Sequence, residues 1–434
     1  MSILFRAVEI DGTVQDCRVA GTSIVAVGPQ LRVADDDDEV IDGRGGALIA
    51  GLADHHLHLL ATAARTRSVD VAASLHALRD APGDGWIRAV GAEAELTRAD
   101  IDAVEPRRPV RVQHVGGSLW TLNSPALDRL GIDGPERATG QLWRADDRLR
   151  TLLRDEGTDS ATDIAADVAA VGADLARCGV THCTDATPDL DAATIGLLST
   201  AVPQHLLALG AAEGSGPRKI VVGDHDLPDP EALAAAIADT HAVGRPVALH
   251  VVTRAALVVT VAALHRGGVR PGDRIEHAAV CDDDQARTLA ALGLVVVTQP
   301  GLLARHGDRY LREVEPADRP WLWRCGGFAQ RGVAVALSSD APYGPLDPWA
   351  TLRAARDRRT DGGLVIGASE RVSAEHALGM MQTPLTAPAG PARRVAAGGV
   401  ADVVLLHTSL SDALDVLDAS VVRTTFIGGV AAPG

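Results

Sequence analysis

Eight short apolar segments alternate with alanine-rich helical segments through the middle of the chain. We predict strands at residues 47–58, 180–185, 205–210, 219–222, 246–252, 274–278, 294–299 and 333–340. Helices are predicted between most of them, for example at residues 161–177, 230–243, 254–266 and 283–292. Strands that alternate with helices form parallel sheets, since each crossover returns the chain to the same edge. Eight such units predict an α/β fold, a (β/α)8 TIM-type barrel, with functional groups at the carboxyl ends of its strands.

Both ends of the chain carry strand patterns without helices between them. These strands are predicted at residues 3–10, 17–19, 23–27, 401–406 and 421–427. We therefore predict a small β-sandwich domain formed by both termini, at residues 1–48 and 386–434, and a barrel domain at residues 49–385. An insertion after the first barrel strand is predicted at residues 60–160, with a strand of its own at 110–115.

The balance of acidic and basic residues indicates which kinds of molecule the protein is expected to bind. The chain has 41 basic and 57 acidic residues, a formal net charge of −16. A nucleic-acid partner is not expected, because phosphate binding needs clustered lysine and arginine. The acidic run at residues 35–39 is expected to be a solvated loop rather than a metal site.

The cysteines and the hydropathy of the sequence predict where in the cell the protein is found. The five cysteines are widely spread and form no CxxC pair, so a reducing cytoplasm is the expected location. The first residues lack an apolar signal core, and no run of about 18 uncharged apolar residues occurs, so no membrane association is expected.

Histidines follow the first predicted strand at alternate positions. Residues two apart share one face of a strand, so His56 and His58 can both point into the mouth of a barrel. Two imidazoles so placed can chelate a borderline metal such as zinc. An isolated HxH is weak evidence, because ordinary hydrogen-bonded histidines have the same spacing.

Three further strands end in residues that can bind a metal. His250 and His277 end the strands at 246–252 and 274–278, and Asp340 ends the last strand. Any one of them alone is more often a capping or hydrogen-bonding residue. Together with His56 and His58 they make five candidate ligands where a barrel has its reaction centre, which favours a metal site.

Lys219 is the single lysine in the sequence and opens the fourth predicted strand. An arginine supplies a positive charge equally well, so a surviving lysine suggests chemistry that a guanidinium cannot perform. A lysine amine can add carbon dioxide to become a carbamate that bridges two metal ions. The alternative is an ordinary salt bridge. We favour the carboxylated lysine.

These motifs resemble the amidohydrolase superfamily. The resemblance rests on Gly-Leu-Ala-Asp-His-His-Leu-His at 51–58, Arg-Ile-Glu-His at 274–277, Ser-Ser-Asp-Ala-Pro at 338–342, Lys219 and His250. The chain looks most like the amidohydrolase family 3 branch that includes N-substituted formamide deformylase. That likeness comes from residues 117–127, from Thr-Gly at 139–140 and from Leu-Asp-Pro at 346–348.

The resemblance implies a role for each candidate. His56 and His58 would be ligands from the first strand, Lys219 the bridging carboxylated lysine, and His250 and His277 ligands of a second ion. Asp340 would be both ligand and catalytic proton shuttle. The expected cofactor is a divalent metal, with zinc the first choice, as one or two ions.

The sequence departs from this family pattern in two places. Ala50 stands where the family usually has proline. Arg144 stands where many members of the branch have a glutamate, so the site could hold one ion instead of two.

The expected reaction is hydrolysis of a C–N bond in an amide, formamide or cyclic amide of a small molecule. Metal ions lower the pKa of bound water to about 7, and the hydroxide so formed is the nucleophile. One alternative is a deaminase with a single metal, acting on a cyclic amidine or nucleobase-like substrate. Residues 251–254 after His250 offer no acid for that reaction. A barrel that binds a ligand without catalysis is a less favoured alternative.

Several residues outside the ligand set are candidates for substrate binding: His114, Trp120, Arg144, His182, Arg305 and Tyr343. Trp120 could equally be core packing. Arg144 could clamp a carboxylate bidentately, although Asp146 and Asp147 offer it an ordinary ion pair. The expected partner is a small-molecule substrate, and a homo-oligomer is one expected state of assembly.

Overall fold

The computed structural model describes residues 2–33, 38–92, 95–156, 161–188, 190–210, 216–224 and 226–433. They form two compact units, one made of residues 1–59 and 169–434 and the other of residues 60–168. Of the acidic run at 35–39, residues 35–37 lie outside the described part, and Asp38 and Glu39 begin a strand.

The strands of the described residues are, in chain order, β1 (Ser2–Ile10), β2 (Thr13–Ala20), β3 (Ser23–Gly28), β4 (Asp38–Asp42), β5 (Leu48–Ala50), β6 (Leu52–Leu57), β7 (Val69–Asp70), β8 (Ile87–Ala92), β9 (Val110–His114), β10 (Leu119–Leu122), β11 (Gln141–Trp143), β12 (Val180–Asp185), β13 (His205–Ala208), β14 (Arg218–Val221), β15 (Val247–Val251), β16 (Arg274–His277), β17 (Val295–Thr298), β18 (Ala334–Leu337), β19 (Val403–Leu406), β20 (Val422–Ile427) and β21 (Val430–Ala431).

The α-helices are α1 (Leu59–Thr66), α2 (Arg98–Asp102), α3 (Ser124–Arg129), α4 (Pro135–Thr139), α5 (Asp146–Asp155), α6 (Ala161–Arg177), α7 (Ala192–Ala201), α8 (Pro230–Ala242), α9 (Arg254–Gly267), α10 (Asp283–Ala291), α11 (Pro300–Glu313), α12 (Gly326–Gln330), α13 (Pro348–Asp357), α14 (Ala374–Met380) and α15 (Leu410–Val416). Short 3-10 helices lie at Leu75–Asp80, Arg319–Trp321, Ala368–Glu370 and Ala419–Val421.

The unit of residues 1–59 and 169–434 contains two parallel sheets. One has the order β13-β12-β6 and the other the order β14-β15-β16-β17-β18. All eight strands overlap the predicted segments, and the predicted α/β class is confirmed. The side chains of β6 and β16 are buried on both faces, as expected where helices cover a parallel sheet, whereas β13 and β14 each keep at least one exposed residue.

Backbone hydrogen bonds join the ends of the two parallel sheets. After β18, Asp340 N donates to His56 O at 2.8 Å, and His58 N donates to Ala341 O at 2.9 Å. These bonds hold the carboxyl ends of β6 and β18 side by side, so residues of the first and last strands meet at one place.

Side-chain caps start the helices that follow these strands. Thr253 caps α9 by accepting a hydrogen bond from Ala256 N, and Asp282 caps α10 by accepting one from Gln285 N. Such caps satisfy N–H groups that have no partner within the helix. They fix the residue at which each helix begins, and therefore the length of the segment between the end of the strand and the helix.

The prediction of one strand at residues 47–58 is wrong. The segment forms two strands, β5 and β6, that belong to different sheets. Gly51 separates them, and its amide donates to Asp402 O at 2.9 Å. A β-carbon at Gly51 would lie 2.2 Å from Thr181 Oγ1, so the close approach to β12 requires glycine here.

Two four-stranded sheets are built from the chain termini. Their orders are β3-β2-β1-β4 and β21-β20-β19-β5. Apolar residues of both sheets pack into one core, in which Phe5 and Phe426 meet edge to face with ring centroids 5.0 Å apart. The two ends of the sequence are thereby held against each other.

Residues 60–168 form a unit with its own mixed sheet, in the order β11-β10-β9-β8-β7. Two apolar clusters lie in this unit, one including Ile87 and Val110 and the other including Trp120 and Leu142. The strand predicted at 110–115 corresponds to β9.

Among the described residues, no helix is both long and apolar enough to cross a membrane.

Candidate metal centre

The first and last parallel strands bring a carboxylate between two imidazoles. His56 and His58 lie at the end of β6, and Asp340 follows β18. Asp340 Oδ1 is 3.6 Å from His56 Nε2 and 3.3 Å from His58 Nε2. One ligand atom from each residue lies within 4.8 Å of the others. This spacing suits three ligands of one ion, since metal–nitrogen and metal–oxygen bonds are about 2.0–2.2 Å long.

Asp340 Oδ1 has no hydrogen-bond partner in the part of the chain that the structure describes, although it is buried. A buried carboxylate oxygen without a partner is costly unless something else satisfies it. A cation held with the two imidazoles would do so. The donor set therefore fits a divalent metal.

A second pair of imidazoles adjoins this cluster. His277 Nε2 and His250 Nδ1 face each other at 2.9 Å. His277 also lies near the first group, with its ring centroid 4.7 Å from that of His56 and Nδ1 3.9 Å from Asp340 Oδ2. The four predicted histidines and Asp340 thus form one continuous cluster.

Lys219 lies within the same cluster. Its side chain is buried, and Nζ is 3.3 Å from His56 Nε2. Burial lowers the pKa of Lys219 to about 8, because the charged ammonium is poorly solvated there. The structure thus brings together all six residues that the sequence identified as ligand candidates.

Polar neighbours hold the outer nitrogen of three of the histidines. Glu276 Oε2 contacts His56 Nδ1, Thr187 Oγ1 lies 3.1 Å from His58 Nδ1, and Gln299 Oε1 lies 2.8 Å from His277 Nδ1. Such partners fix the tautomer and the ring orientation of metal-binding histidines. The ring nitrogen that His56 and His58 turn towards Asp340 is therefore Nε2.

Glu276 is itself held by a buried arginine. Arg274 Nε donates to Glu276 Oε1, and Arg274 Nη2 donates to His55 O at 3.1 Å. Both side chains are almost completely buried. The arginine charge keeps Glu276 in place as an acceptor for His56.

Thr187 and Gln299 were not singled out from the sequence, and Arg274 entered only as part of the Arg-Ile-Glu-His motif. Gln299 lies at the end of a predicted strand, which is the signal that could have identified it. Thr187 lies two residues beyond its strand, and nothing in its local sequence marks it.

Two of the candidate ligands adopt an unusual backbone conformation. His277 has φ of +74° and Asp340 has φ of +53°, in the left-handed region. This conformation is costly for residues with a β-carbon and persists only where the surroundings enforce it. The turn after each strand end aims the side chain at the cluster.

Electrostatics favour the ligand forms of these side chains. Burial lowers the pKa of His56 well below its usual range, and the nearby charge of Lys219 adds to the effect. The pKa of His250 is lowered in the same way, first by burial and then by His277. Burial acts to raise the pKa of Asp340, but the surrounding histidines outweigh it and hold the pKa at about 2. Neutral imidazoles beside an ionised carboxylate are the states that bind a metal.

Two of the predicted substrate-binding residues lie near the cluster. The Tyr343 ring is perpendicular to that of His58, with centroids 5.9 Å apart. Arg305 Nη1 donates to Pro342 O at 3.3 Å, two residues from Asp340. Trp323, which the sequence did not suggest, meets His277 edge to face at 6.1 Å.

His182 contacts a different group of residues. Its ring is 4.6 Å from that of His205, and its Nε2 is 3.7 Å from Asp402 Oδ2. Asp185, three residues later on β12, instead accepts hydrogen bonds from Leu59 N and Thr187 N, each at 2.8 Å.

His114, Trp120 and Arg144 lie in the unit of residues 60–168. His114 Nε2 is 3.0 Å from Thr121 Oγ1. Trp120 is buried in an apolar cluster beneath the guanidinium of Arg88, 5.3 Å from the ring centroid. Arg144 is exposed, its amide donates to Ser118 O at 2.7 Å, and its φ is +50°. The side chains of Asp146 and Asp147, its expected ion-pair partners, lie outside the described part.

Comparison with known proteins identifies the family of the chain. The model of the amidohydrolase family matches residues 39–432. A segment is 32% identical over 108 residues to the N-substituted formamide deformylase of Arthrobacter pascens, covering 25% of this chain and 20% of that enzyme. The match thus spans about a fifth of that relative's length.

Solved structures share the fold over nearly the whole chain. An uncharacterized metal-dependent hydrolase from Pyrococcus horikoshii has a TM-score of 0.76 at 18% identity, covering 98% of this chain and 99% of that one. N-isopropylammelide isopropylaminohydrolase from Burkholderia multivorans has a TM-score of 0.56 at 16% identity, covering 99% and 98% of the two chains. At such identities the likeness concerns the fold alone.

The α/β fold carries, at its strand ends, a histidine–aspartate cluster whose donor atoms suit a divalent metal. The chain belongs to the amidohydrolase family, and the enzyme is an amidohydrolase. The family resemblance seen in its motifs is confirmed.

Proposed function

We propose that this amidohydrolase cleaves the C–N bond of an amide, formamide or cyclic amide in a small molecule, at the cluster around Asp340. The observation that carries the proposal is the position of Asp340, whose carboxylate lies 3.3–3.9 Å from nitrogens of His56, His58 and His277. No hydrogen bond occupies its Oδ1 among the described residues, which leaves that oxygen available to a metal and to a proton.

His56, His58 and Asp340 would hold one divalent ion, and His250 and His277 a second, with zinc as the first choice because imidazole and carboxylate suit it. When bound, such ions supply Lewis-acid chemistry that lowers the pKa of water and polarises a carbonyl. The 2.9 Å separation of His250 Nδ1 and His277 Nε2 supports their acting on the same ion.

Lys219 would link the two ions as a carbamate. The neutral amine attacks carbon dioxide through its lone pair, and loss of one proton leaves an N-carboxylate with two oxygens. This step needs the unprotonated amine, and the pKa of about 8 makes that form accessible near neutral pH. The 3.3 Å contact of Nζ with His56 Nε2 puts the lysine beside the ligands that it would bridge.

Asp340 would also move the proton. A carboxylate beside the attacking water can accept its proton and return it to the leaving nitrogen, acting first as base and then as acid. Tyr343, next to His58, would help to enclose the reacting group. Glu276 would keep His56 in place without taking part in the proton transfer.

The architecture that we propose around this centre is a closed (β/α)8 barrel at residues 49–385, with an insertion at 60–160. The backbone bonds between β6 and the end of β18 support closure at that seam. We propose that the two terminal sheets are a β-sandwich domain of residues 1–48 and 386–434, supported by their common core. All five cysteines are free thiols, which supports a cytoplasmic location.

Removal and return of the metal tests the function. The chelated enzyme is assayed with zinc added back, against a panel of formamides, N-acyl amino acids and cyclic amides, and cyclic amidines are assayed separately beside this panel. Zinc-dependent release of amine or ammonia from the panel supports the proposal. Release of ammonia only from cyclic amidines would favour the deaminase alternative, and no turnover with any substrate would count against catalysis.

A further inference from the structure

Asp54 is a buried carboxylate that has no part in the ligand set or in the proposed proton transfer. It lies on β6, two residues before His56, and is only 1% exposed. A carboxylate is rarely buried so completely unless hydrogen bonds or charges compensate for the lost water. The groups that Asp54 binds therefore indicate what it does in the fold.

One oxygen of Asp54 accepts hydrogen bonds from two backbone amides. Asp54 Oδ1 accepts from His56 N at 3.2 Å and from Ser339 N at 3.1 Å. His56 is a candidate ligand, and Ser339 directly precedes Asp340, another candidate ligand. Asp54 and Ser339 are 285 residues apart in the sequence. A single side chain thus joins the end of β6 to the turn that follows β18.

The turn around Asp340 is held by further hydrogen bonds. Ser339 Oγ accepts from Ala341 N at 3.0 Å, and Asp340 N donates to His56 O at 2.8 Å. Asp340 has φ of +53°, a conformation that a residue with a β-carbon keeps only where its surroundings enforce it. The bond from Ser339 N to Asp54 is one of the contacts that enforce it.

The three ligands of the proposed first ion come from these two segments. His56 and His58 lie on or directly after β6, and Asp340 Oδ1 lies 3.6 Å and 3.3 Å from their Nε2 atoms. A metal site functions only when its ligands are held within about 0.5 Å of the required geometry. Since the two segments are distant in sequence, the contacts between them set this spacing.

We propose that Asp54 is a positioning residue of the metal centre. Its carboxylate holds the amides of His56 and Ser339, and so keeps His56, His58 and Asp340 at the spacing of ligands to one ion. The inference rests on the proposed function, because it concerns the ion proposed there. Asp54 acts through the backbone and is not itself a ligand.

Asp273 provides a matched control at the other end of the same parallel strands. It is also 1% exposed and directly precedes β16. Its Oδ1 accepts from Val247 N and its Oδ2 from Arg270 N, each at 2.8 Å. Asp54 and Asp273 are therefore both buried, and each binds two amides. Only Asp54 binds amides at the carboxyl ends of the strands, where the candidate ligands lie.

Zinc affinity, measured by competition with a chromophoric chelator, tests the positioning role. Asp54→Ala should weaken one of the bound ions by about 10–100-fold, the usual effect of losing a partner that orients ligands. Asp273→Ala should bind zinc as the wild type does. Asp54→Asn should stay within about threefold of the wild type, because its amide oxygen can still accept from both N–H groups.

Two results of this measurement would overturn the proposal. Wild-type affinity in Asp54→Ala would show that the contact does not position the ligands. Equal weakening in Asp54→Asn and Asp54→Ala would assign the effect to the charge of Asp54 rather than to its hydrogen bonds.

Hydrogen exchange of the metal-free protein tests the same contact without zinc. The Ser339 amide should exchange about tenfold faster in Asp54→Ala, since it loses its acceptor, and at the wild-type rate in Asp54→Asn. An unchanged rate in Asp54→Ala would contradict the proposal. Should Asp54→Ala fail to fold, Asp54→Ser replaces it in both measurements, because its oxygen lies one atom closer to the backbone.

Neither measurement uses turnover, so the two proposals can fail separately. An enzyme that binds zinc but cleaves no C–N substrate would refute the proposed function, while the zinc affinity of Asp54→Ala would still decide the positioning role. A wild type that binds no zinc would overturn both.

Discussion

Glu276 contacts Nδ1 of His56, and Nε2 of the same ring is left facing Asp340 Oδ1 at 3.6 Å. The glutamate thus decides which nitrogen a metal would meet. Arg274 holds the other oxygen of Glu276, so the orientation is transmitted from a buried ion pair to the candidate centre.

Glu276→Gln should weaken zinc binding by about 10–100-fold, the usual effect of losing a partner that orients a ligand. The glutamine side chain has one acceptor oxygen and one NH2 donor. It therefore cannot replace both carboxylate oxygens, one of which binds Arg274 and the other His56. Competition with a chromophoric chelator measures the affinity. Glu136→Gln, which removes an exposed ion pair with Arg148, should leave it unchanged. Equal affinities in the two variants would show that Glu276 has no orienting role.

Asp340→Asn should preserve the fold and lower kcat by about 10²–10⁴-fold, as expected when a general acid–base group is removed. Steady-state kinetics with a substrate from the amide panel measure the change. Asp357→Asn, which alters a half-buried pair with Arg356, is the control and should retain activity. A fully active Asp340→Asn enzyme would refute the proton-transfer role.

Lys219→Arg keeps a positive charge but cannot form a carbamate. It should lose the second metal equivalent and most of the turnover. In the wild type, addition of ¹³C-labelled bicarbonate should give a carbamate carbon signal by NMR, and that signal should be absent from the variant. Unchanged metal content and activity in Lys219→Arg would remove the bridging lysine from the account.

Glu370→Gln should lower the free energy of unfolding by about 1–3 kcal/mol, because the buried Arg324 loses one of its two carboxylate partners and keeps Asp283, whose Oδ1 is 2.9 Å from Arg324 Nη1. Glu370 accepts from Arg324 Nε at 2.9 Å and from Gly327 N at 2.7 Å. Denaturant unfolding measures the loss. Asp284→Asn breaks an exposed pair with Arg287 and should have little effect. Similar midpoints for the two variants would contradict this explanation.

Local sequence was sufficient for most of the centre. His56, His58, His250, His277 and Asp340 each end an apolar strand, and strand ends of a parallel α/β fold converge at one edge. Lys219 was marked by composition, as the single lysine among 41 basic residues. These signals are local, so no tertiary information was needed to find the residues.

The remainder depended on long-range contacts. Thr187 is 129 residues from His58 in sequence, and Gln299 meets His277 from the neighbouring strand. The sequence did not predict that the strand at residues 47–58 is divided at Gly51. An unbroken apolar run looks the same whether its two halves join one sheet or two. The sequence could have shown that His182 and Asp185 lie on opposite faces of their strand. The two residues are three positions apart, and the side chains of a strand alternate between its faces.

The metal content of the active site tests the central claim most directly. Elemental analysis and native mass spectrometry of the zinc-loaded wild type count the ions that the cluster around Asp340 holds. We predict two zinc equivalents, with hydrolysis of C–N substrates lost when they are chelated and regained when they are returned. A protein that binds no zinc there, or that hydrolyses its substrate equally well after complete metal removal, would contradict it.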